Sequence, residues 1–188
     1  ILLTGATGFV GAFLLHDLLR MTSADVYCLL RAEDVEMGIQ RLKRNLNNYL
    51  LWDDSFVDRI KLILGDLGEP RLGLTDDVFE KLTHEIDVIY HNGAMVNFVY
   101  PYHAHKASNV LGTQEVLRLA SRIKLKPVHF VSTLSILYSG DVNDGRIIRE
   151  DVNLDDVGAP FGGYAQSKWV AEKLVKQARD AELRLKAT

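Results

Sequence analysis

The sequence predicts an α/β fold in which helices cover both faces of a parallel sheet. Short apolar runs alternate with longer segments of helical period, a pattern typical of such sheets. The predicted strands are Ile1–Thr4, Asp25–Leu30, Ile60–Leu64, Asp87–Tyr90 and Pro127–Ser132. Right-handed crossovers between them give a doubly wound sheet of order 3-2-1-4-5, a Rossmann-type arrangement.

Helices are predicted between and after these strands. Their ranges are Phe9–Arg20, Val35–Leu51, Asp76–Leu82, Tyr102–Ile123, and Tyr164 to beyond Lys176. The second helix belongs to Glu33–Arg59, a connection longer than two neighbouring strands need. Its apolar residues recur at helical spacing, which predicts an inserted helix packed on the sheet. The loop Ser139–Gly163 is rich in Gly, Asp and Asn, and we expect it to be mobile.

Composition and charge exclude several classes of protein. The chain has 188 residues, enough for one domain with its own core, and a net charge of −3. It therefore lacks the basic excess of a protein that binds nucleic acid or anionic membranes, and no apolar run is long enough to span a bilayer. A single cysteine, Cys28, suits a reducing cytoplasm. Because the sequence opens inside a strand, we interpret residues 1–188 as a nucleotide-binding domain cut from a longer polypeptide.

A glycine-rich turn links the first strand to the first helix. The segment Thr4–Gly11 reads TGATGFVG. Glycines in this position allow a tight turn, a close approach to pyrophosphate and close packing of helix on strand. The amino terminus of the helix then offers free N–H groups and a favourable dipole. The motif predicts a dinucleotide site whose contacts are Gly5, Thr7, Gly8, Phe9, Val10 and Gly11.

The residue after the second strand indicates which nucleotide is bound. An NAD site normally has a carboxylate there for the ribose hydroxyls, whereas arginine accommodates a 2′-phosphate. Here the strand ends in Leu29-Leu30-Arg31, so we expect NADPH. Glu33, two residues later, argues for NADH instead. Arg41 is a second phosphate candidate if the inserted helix folds back over the adenosine.

Two further segments follow strands and should reach the same edge of the sheet, where open α/β sheets bind ligands. Asp66 and Leu67 come after the third strand, and Asp66 is placed near the adenine amino group. Asn92-Gly93-Ala94 comes after the fourth, where glycine lets the backbone run close to the cofactor.

A tyrosine and a lysine four residues apart form the candidate catalytic pair. Tyr164 and Lys168 share one helical face. The chain holds a second such pair, Tyr102 and Lys106, but it precedes the fifth strand. Only Tyr164 follows that strand, so only Tyr164 is expected to share a site with a hydroxyl at its end.

The expected chemistry needs three groups. Lysine should favour the tyrosine phenolate, whose pKa is otherwise near 10, and hold the nicotinamide ribose. Thr133 should hydrogen-bond the substrate carbonyl beside Tyr164 and stabilise negative charge as hydride arrives. Ser132 and Ser135 are rival hydroxyls, and Ser132 is also placed among the cofactor contacts.

Together these motifs resemble the extended short-chain dehydrogenase/reductases. The segments that carry the resemblance are TGATGFVG, GDL, HNGA, NVLGT, VST and YxxxK, in that order. The longer segments YCLLRA, IYHNGAMVNFVYPY, PVHFVSTLSI and GGYAQSKWVAEKLV resemble the thioester reductase domains of nonribosomal peptide and polyketide synthetases. Fatty acyl-CoA reductases and carboxylic acid reductases share much of the pattern. The resemblance covers essentially the whole chain.

The resemblance implies an NADPH-dependent oxidoreductase. Such domains release an acyl or peptidyl chain from the phosphopantetheine thioester of a carrier protein as an aldehyde, with further reduction to the alcohol left open. The partners implied are that carrier protein and neighbouring synthetase domains in the same polypeptide. The resemblance also implies that Asn109, in NVLGT, supports the active-site lysine near the cofactor; fixing a helix turn is its alternative role. It further implies one more strand and a substrate-binding portion beyond the region seen here, so the chain is expected to be truncated before the substrate subdomain.

Other interpretations remain open at this point. Nucleotide-sugar epimerases and dehydratases share the glycine loop, the hydroxyl and YxxxK, although Arg31 and the long insertion argue against them. A non-catalytic NADP(H)-binding domain is a third class, against which the complete set of Thr133, Tyr164 and Lys168 argues. Metal binding is not expected, because no Cys or carboxylate cluster completes a ligand set around the histidines.

Overall fold

A computed structural model describes residues 1–138, 147–150, 152–181 and 185–187 of the chain, the last three as backbone only. The predicted mobile loop Ser139–Gly163 lies partly outside the described residues. Within the described part, no helix has the length and apolar character needed to cross a membrane.

The sheet is parallel throughout the part of the chain described. Its strands are β1 Leu2–Thr4, β2 Val26–Leu30, β3 Ile60–Leu64, β4 Ile89–His91, β5 Val128–Phe130 and β6 Leu185–Ala187. Their spatial order is β3-β2-β1-β4-β5-β6. The prediction of a parallel sheet of order 3-2-1-4-5 is confirmed, and each predicted strand is found within two residues of its expected ends.

A sixth strand corrects one expectation. The resemblance placed the next strand beyond this chain, yet β6 pairs in parallel with β5, with Val128 opposite Leu185. An unpaired edge of β5 leaves backbone N–H and C=O groups without partners, and the last residues supply them.

The helices follow the prediction in number and placement, with one exception. They are α1 Phe9–Met21, α2 Val35–Asn48, α3 Asp76–Glu85, α4 Tyr102–His105, α5 Gly112–Ser121 and α6 Gly163–Asp180. The single helix predicted over Tyr102–Ile123 is interrupted, because residues Lys106–Leu111 form a wide π turn between α4 and α5. Such turns occur often at functional sites, and this one carries the buried Asn109.

The core lies on both faces of the sheet, as a doubly wound fold requires. One cluster joins the strands to α1 and α2, and the other joins them to α3, α5 and α6. Successive residues of β1 serve opposite faces, so Leu2 belongs to one cluster and Leu3 to the other. Leu42 and Leu46 of α2 are fully buried, which confirms that the inserted helix packs on the sheet.

Candidate active site

The glycine-rich loop is held in a conformation that only glycine accommodates. Gly5 has a φ of +75°, in the left-handed region. A Cβ on Gly5 would lie 2.7 Å from the backbone of Gly93, and one on Gly11 would lie 2.0 Å from the Gly5 carbonyl oxygen. That oxygen also accepts hydrogen bonds from the Gly8 N–H at 3.1 Å and the Asn92 amide at 3.2 Å. The loop is therefore folded tightly back on itself.

Helix α1 begins directly after this loop. Gly8 is its N-cap, no side chain caps it, and no acidic residue lies in its first turn. The first N–H groups of the helix have no partner within it, and the helix dipole favours an anion at this end. The structure thus leaves an open anion-binding position between Gly8 and Val10.

A cleft of about 670 Å³ extends along the carboxyl ends of the strands. Sixteen of the predicted site residues line it: Gly5, Thr7, Gly8, Phe9, Val10, Arg31, Arg41, Asp66, Leu67, Asn92, Gly93, Ala94, Ser132, Thr133, Tyr164 and Lys168. Two predicted residues, Gly11 and Asn109, are not among the lining residues. The glycine loop and the Tyr-Lys pair therefore open into one cavity, on the same edge of the sheet.

The two arginines meet at one end of this cleft. The Arg31 side chain is 72% exposed, and its Nη1 lies 3.7 Å from Oδ2 of Asp66. Arg41 donates from Nη1 to the Arg31 carbonyl oxygen at 3.0 Å. Asp66 also accepts the Gly68 N–H at 2.8 Å, which fixes the turn after β3. Arg41 of α2 thus reaches the same end of the cleft as Arg31.

Buried polar groups set the backbone after β4. The Gly93 N–H donates to Oγ1 of Thr4 at 2.9 Å, and that hydroxyl lies 2.8 Å from Nδ1 of His91. The other ring nitrogen of His91 lies 3.0 Å from Oγ1 of Thr113. Burial, with the nearby Lys168 cation, lowers the pKa of His91 to about 3, so the ring is neutral. A neutral imidazole here holds Gly93 against the cofactor loop.

The catalytic candidates meet at the other end of the cleft. Tyr164 and Lys168 lie one turn apart on α6, and Thr133 follows β5. Nζ of Lys168 donates to the Val131 carbonyl oxygen at 2.8 Å and lies 4.0 Å from the centre of the Phe130 ring. Burial lowers the pKa of Lys168 to about 8, against an opposing effect of the Glu172 carboxylate.

The expected effect of Lys168 on Tyr164 is not found. Burial raises the pKa of Tyr164 above its ordinary value, and a hydrogen bond with Thr133 opposes that rise. Lys168 is not among the groups that shift this pKa, and its ammonium group is already bound to the strand backbone. The phenol is therefore neutral near pH 7 and carries a proton that it can donate in a hydrogen bond.

Asn109 has a different set of contacts from those expected. Its Oδ1 accepts the Met95 N–H at 2.7 Å, and its Nδ2 donates to the Met95 carbonyl oxygen and to Oγ of Ser167, at 3.0 and 2.9 Å. Asn109 thus joins the wide π turn to the segment after β4 and to α6. Ser167 immediately precedes Lys168, so the side chain supports the lysine's helix through Ser167.

Three further contacts were not predicted from the sequence. Ser132 donates from Oγ to Oε2 of Glu172 at 2.5 Å. Asn45 of α2 donates to the carbonyl oxygens of Ala6 and Gly8, at 3.4 and 3.3 Å. The spacing of Glu172 after Lys168 and of Asn45 after Arg41, four residues in each case, is the one signal that pointed to a shared helical face.

Cys28 and the histidines take no part in the cleft lining. Cys28 is buried in β2, and burial raises the pKa of its thiol to about 12, so it is not a nucleophile at neutral pH. Among the described residues, no group of three or more His, Cys, Asp or Glu side chains is arranged to hold a metal ion.

Comparison with known proteins identifies relatives of this chain. The family model described as male sterility protein, an NAD-binding family, matches residues 3–187. A subunit of the linear gramicidin synthase of Brevibacillus parabrevis is 53% identical over 178 residues, covering 95% of this chain and 4% of that protein. The L-2-aminoadipate reductase large subunit of Penicillium chrysogenum is 39% identical over 196 residues, covering 98% of this chain and 14% of that protein.

Solved structures agree with these relatives. The terminal R domain of the myxalamid PKS-NRPS biosynthetic pathway has a TM-score of 0.94 and 52% identity, over 99% of this chain and 47% of that one. The reductase (R) domain of a nonribosomal peptide synthetase from Mycobacterium tuberculosis has a TM-score of 0.80 and 33% identity, over 99% and 46%. This chain thus spans just under half of either solved domain. It belongs to the NAD-binding male sterility protein family, and its resemblance to reductase domains of peptide synthetases is confirmed.

Proposed function

We propose that this chain is the cofactor-binding and catalytic part of an NADPH-dependent thioester reductase. The reductase would release an acyl or peptidyl chain from the phosphopantetheine of a carrier protein as an aldehyde, in the cytoplasm. One observation carries the proposal: Thr133, Tyr164 and Lys168 line the same cleft as the glycine-rich loop. The relatives add support, since they include an aminoadipate reductase and synthetase reductase domains.

The residues present fit a dinucleotide. A Cβ on Gly5 or Gly11 would fill the space in which the loop folds on itself, and the first turn of α1 leaves its N–H groups for the pyrophosphate. Arg31 and Arg41 would hold a 2′-phosphate at one end, and Lys168 would hold the nicotinamide ribose at the other. The two arginines that line this end of the cleft, one of them paired with Asp66, favour NADPH over NADH.

The mechanism follows from the state of each side chain. When bound, NADPH supplies the hydride. Tyr164, as a neutral phenol, and Thr133 donate hydrogen bonds to the thioester carbonyl oxygen, so that negative charge on this oxygen is stabilised as the carbon becomes tetrahedral. The carbon–sulfur bond then breaks, the carbonyl re-forms as an aldehyde, and the thiol departs with one proton. Thr133 is preferred to Ser132 because its hydroxyl donates to the neutral Ser135 hydroxyl at 3.2 Å, a weaker bond than the one from Ser132 to the Glu172 carboxylate at 2.5 Å.

Carrier-protein recognition is part of the same proposal. The resemblance to a thiolation-reductase di-domain, 28% identical over 99% of this chain, supports a carrier domain as the source of the thioester. In that arrangement the phosphopantetheine arm would enter the cleft from the Tyr164 end, opposite the two arginines.

The test replaces Tyr164 by Phe in the full-length polypeptide. NADPH oxidation is followed with an acyl-pantetheine thioester, and we expect kcat to fall about 10²–10³-fold, the usual loss for one oxyanion donor. Tyr102→Phe is the matched control, because Tyr102 belongs to the other Tyr-x-x-x-Lys pair of the chain. Unchanged turnover in Tyr164→Phe would remove this residue from the mechanism. Tightly held NAD⁺ with no preference for NADPH would favour an epimerase instead.

A further inference from the structure

The segment after β5 is attached to α6 at two successive helical turns. The Val131 carbonyl oxygen accepts from Lys168 at 2.8 Å, and the Ser132 hydroxyl donates to Glu172 at 2.5 Å. Tyr164, Lys168 and Glu172 are spaced four residues apart and so lie on one face of α6. One of the two attachments thus holds a proposed catalytic group, and the other ends at Glu172.

Glu172 is a buried carboxylate with partners on both sides. Its side chain is only 11% exposed, and its Oε1 lies 3.1 Å from Nζ of Lys176. The Ser132 hydroxyl binds the other oxygen. A buried charge is costly unless it is paired and hydrogen-bonded, and this one is both. Its negative charge also lies one turn beyond Lys168, whose ammonium group is buried against the Phe130 ring.

We propose that Glu172 is a positioning residue of the reductase site: it fixes the strand tail that carries Thr133 by holding Ser132, and it stabilises the buried ammonium group of Lys168. The inference rests on the proposed function, since it assigns Glu172 to the support of Thr133 and Lys168, two residues that line the cleft. It also explains which hydroxyl faces the substrate. Ser132 donates to a charged carboxylate at 2.5 Å, whereas Thr133 donates to the neutral Ser135 hydroxyl at 3.2 Å and is more readily released for the carbonyl oxygen.

The effect of Glu172 on the charge of Lys168 depends on every group that faces this lysine. On α6 these groups are the Tyr164 phenol and the Glu172 carboxylate. From the sheet they are the neutral His91 ring, the Phe130 ring and a backbone carbonyl after β5, none of which is charged. Glu172 is thus the one anion among these groups. Burial lowers the pKa of Lys168 to about 8, and the Glu172 carboxylate prevents a larger fall.

The sign of the effect follows directly. Lys168 must be protonated to hold the cofactor ribose, so function is lost as pH rises through its pKa. This fall at high pH is the alkaline limb of the pH profile. Removing the negative charge of Glu172 lowers that pKa further and moves this alkaline limb to lower pH. A limb that moves by one pH unit reduces the protonated fraction about fivefold at a pH equal to the original pKa.

The experiment compares Glu172→Gln and Ser132→Ala in the full-length polypeptide. NADPH affinity is titrated from pH 6 to 10, and the pH profile of kcat/KM is recorded with an acyl-pantetheine thioester. We expect Glu172→Gln to keep the hydrogen bond with Ser132 but to shift both alkaline limbs to lower pH. Ser132→Ala should leave the limbs in place and lower kcat severalfold, because the strand tail is released while the charge remains.

The matched control is Glu115→Gln on α5. Glu115 is 14% exposed and pairs with Arg118 on its own helix, much as Glu172 pairs with Lys176, but the bond that joins Glu172 to Ser132 after β5 has no counterpart among the contacts given for Glu115. A loss of stability alone would lower the melting temperature of both Gln variants without moving a limb. Limbs of Glu172→Gln that coincide with the wild type would overturn the inference.

Failure of the proposed function gives a different result. If the wild type binds NADPH but reduces no thioester, the reductase assignment fails, while the binding profile still decides the role of Glu172. If Glu172→Gln does not fold, Ser132→Ala decides the positioning role: a wild-type kcat in this variant would overturn the inference. A wild type that binds no NADPH would overturn both.

Discussion

Substitution by alanine should have different effects at two glycines of the glycine-rich loop: a loss of stability at Gly11 and a loss of NADPH affinity at Gly8. A Cβ on Gly11 would lie 2.0 Å from the Gly5 carbonyl oxygen and 2.8 Å from its carbonyl carbon. A Cβ on Gly8 would meet only that oxygen, at 3.5 Å, an ordinary contact. Gly8 also has a φ of −91°, which alanine adopts without strain. Gly11→Ala therefore tests the packing of the loop, and Gly8→Ala tests the anion position beside it.

The magnitudes follow from these distances. In Gly11→Ala the backbone must move by more than an ångström, and overpacking of this kind costs about 3 kcal/mol. Alanine has a higher helix propensity than glycine, which offsets about 1 kcal/mol of this cost. The free energy of unfolding should therefore fall by about 2 kcal/mol. For a domain of this size that lowers Tm by about 4–8 °C. In Gly8→Ala the new methyl group points into open space in the cleft and displaces the pyrophosphate, at a cost of one or two charge-assisted hydrogen bonds, or about 10–100-fold in NADPH affinity.

Thermal melts and NADPH titrations of both variants provide the assay. We expect Gly11→Ala to melt clearly below the wild type, whereas Gly8→Ala should lose only the fraction of a kcal/mol that alanine costs at an N-cap. A Gly11→Ala protein that melts with the wild type would refute the close approach of loop and helix. Wild-type affinity in Gly8→Ala would refute the placement of the pyrophosphate.

Three further predictions concern other parts of the molecule. Arg31→Ala should weaken NADPH binding about tenfold, the value of one charge-assisted hydrogen bond, and leave NADH binding unchanged; equal losses in calorimetric titrations would contradict this. Lys126 is buried and donates from Nζ to three backbone carbonyls around the end of α5. Lys126→Met should therefore lower the free energy of unfolding by about 1–3 kcal/mol in urea titrations, and an unchanged midpoint would count against the role. Because the pKa of His91 is lowered from 6.5 to about 3, wild-type stability should fall by about 1.4 kcal/mol per pH unit between these values as pH drops, and more steeply than in His91→Gln.

The sequence was sufficient for the features that depend on local pattern and chain order. Five strands, the order of the sheet and the glycine loop follow from apolar runs, crossover handedness and a turn motif. The choice of Tyr164 over Tyr102 needed only their positions relative to β5. Both arginine candidates line the cleft because the insertion, as its periodicity indicated, packs on the sheet.

What the sequence did not reveal depends on contacts between distant segments. The wide turn at Lys106–Leu111 brings Asn109 to Met95 and Ser167, and no local pattern in the sequence predicts that turn. The protonation state of Tyr164 was predicted from a neighbour in sequence, but burial decides it. A pKa depends on which groups surround a side chain in space, and four-residue spacing supplies only one of them.

A chain of buried hydrogen bonds explains why the sheet edge that carries Gly93 requires a neutral His91. The Gly93 N–H donates to Oγ1 of Thr4, whose own proton is then free for Nδ1 of His91. At the other end, the Thr113 hydroxyl donates to the Asn109 carbonyl oxygen at 2.7 Å, so it accepts from Nε2–H of His91. Each donor thus has one acceptor, and the imidazole has one proton.

A second proton on His91 would have no place in this chain. It would have to lie on Nδ1, facing the proton that Thr4 now donates, and Thr4 would have to turn its hydroxyl away from the ring. It would also add a charge near the ammonium group of Lys168, which already lowers the pKa of His91. The bond between Thr4 and His91, which helps to hold the segment after β4 that carries Gly93, would be lost. Acid should therefore loosen the backbone around Gly93 as pH falls toward the lowered pKa of His91, about 3.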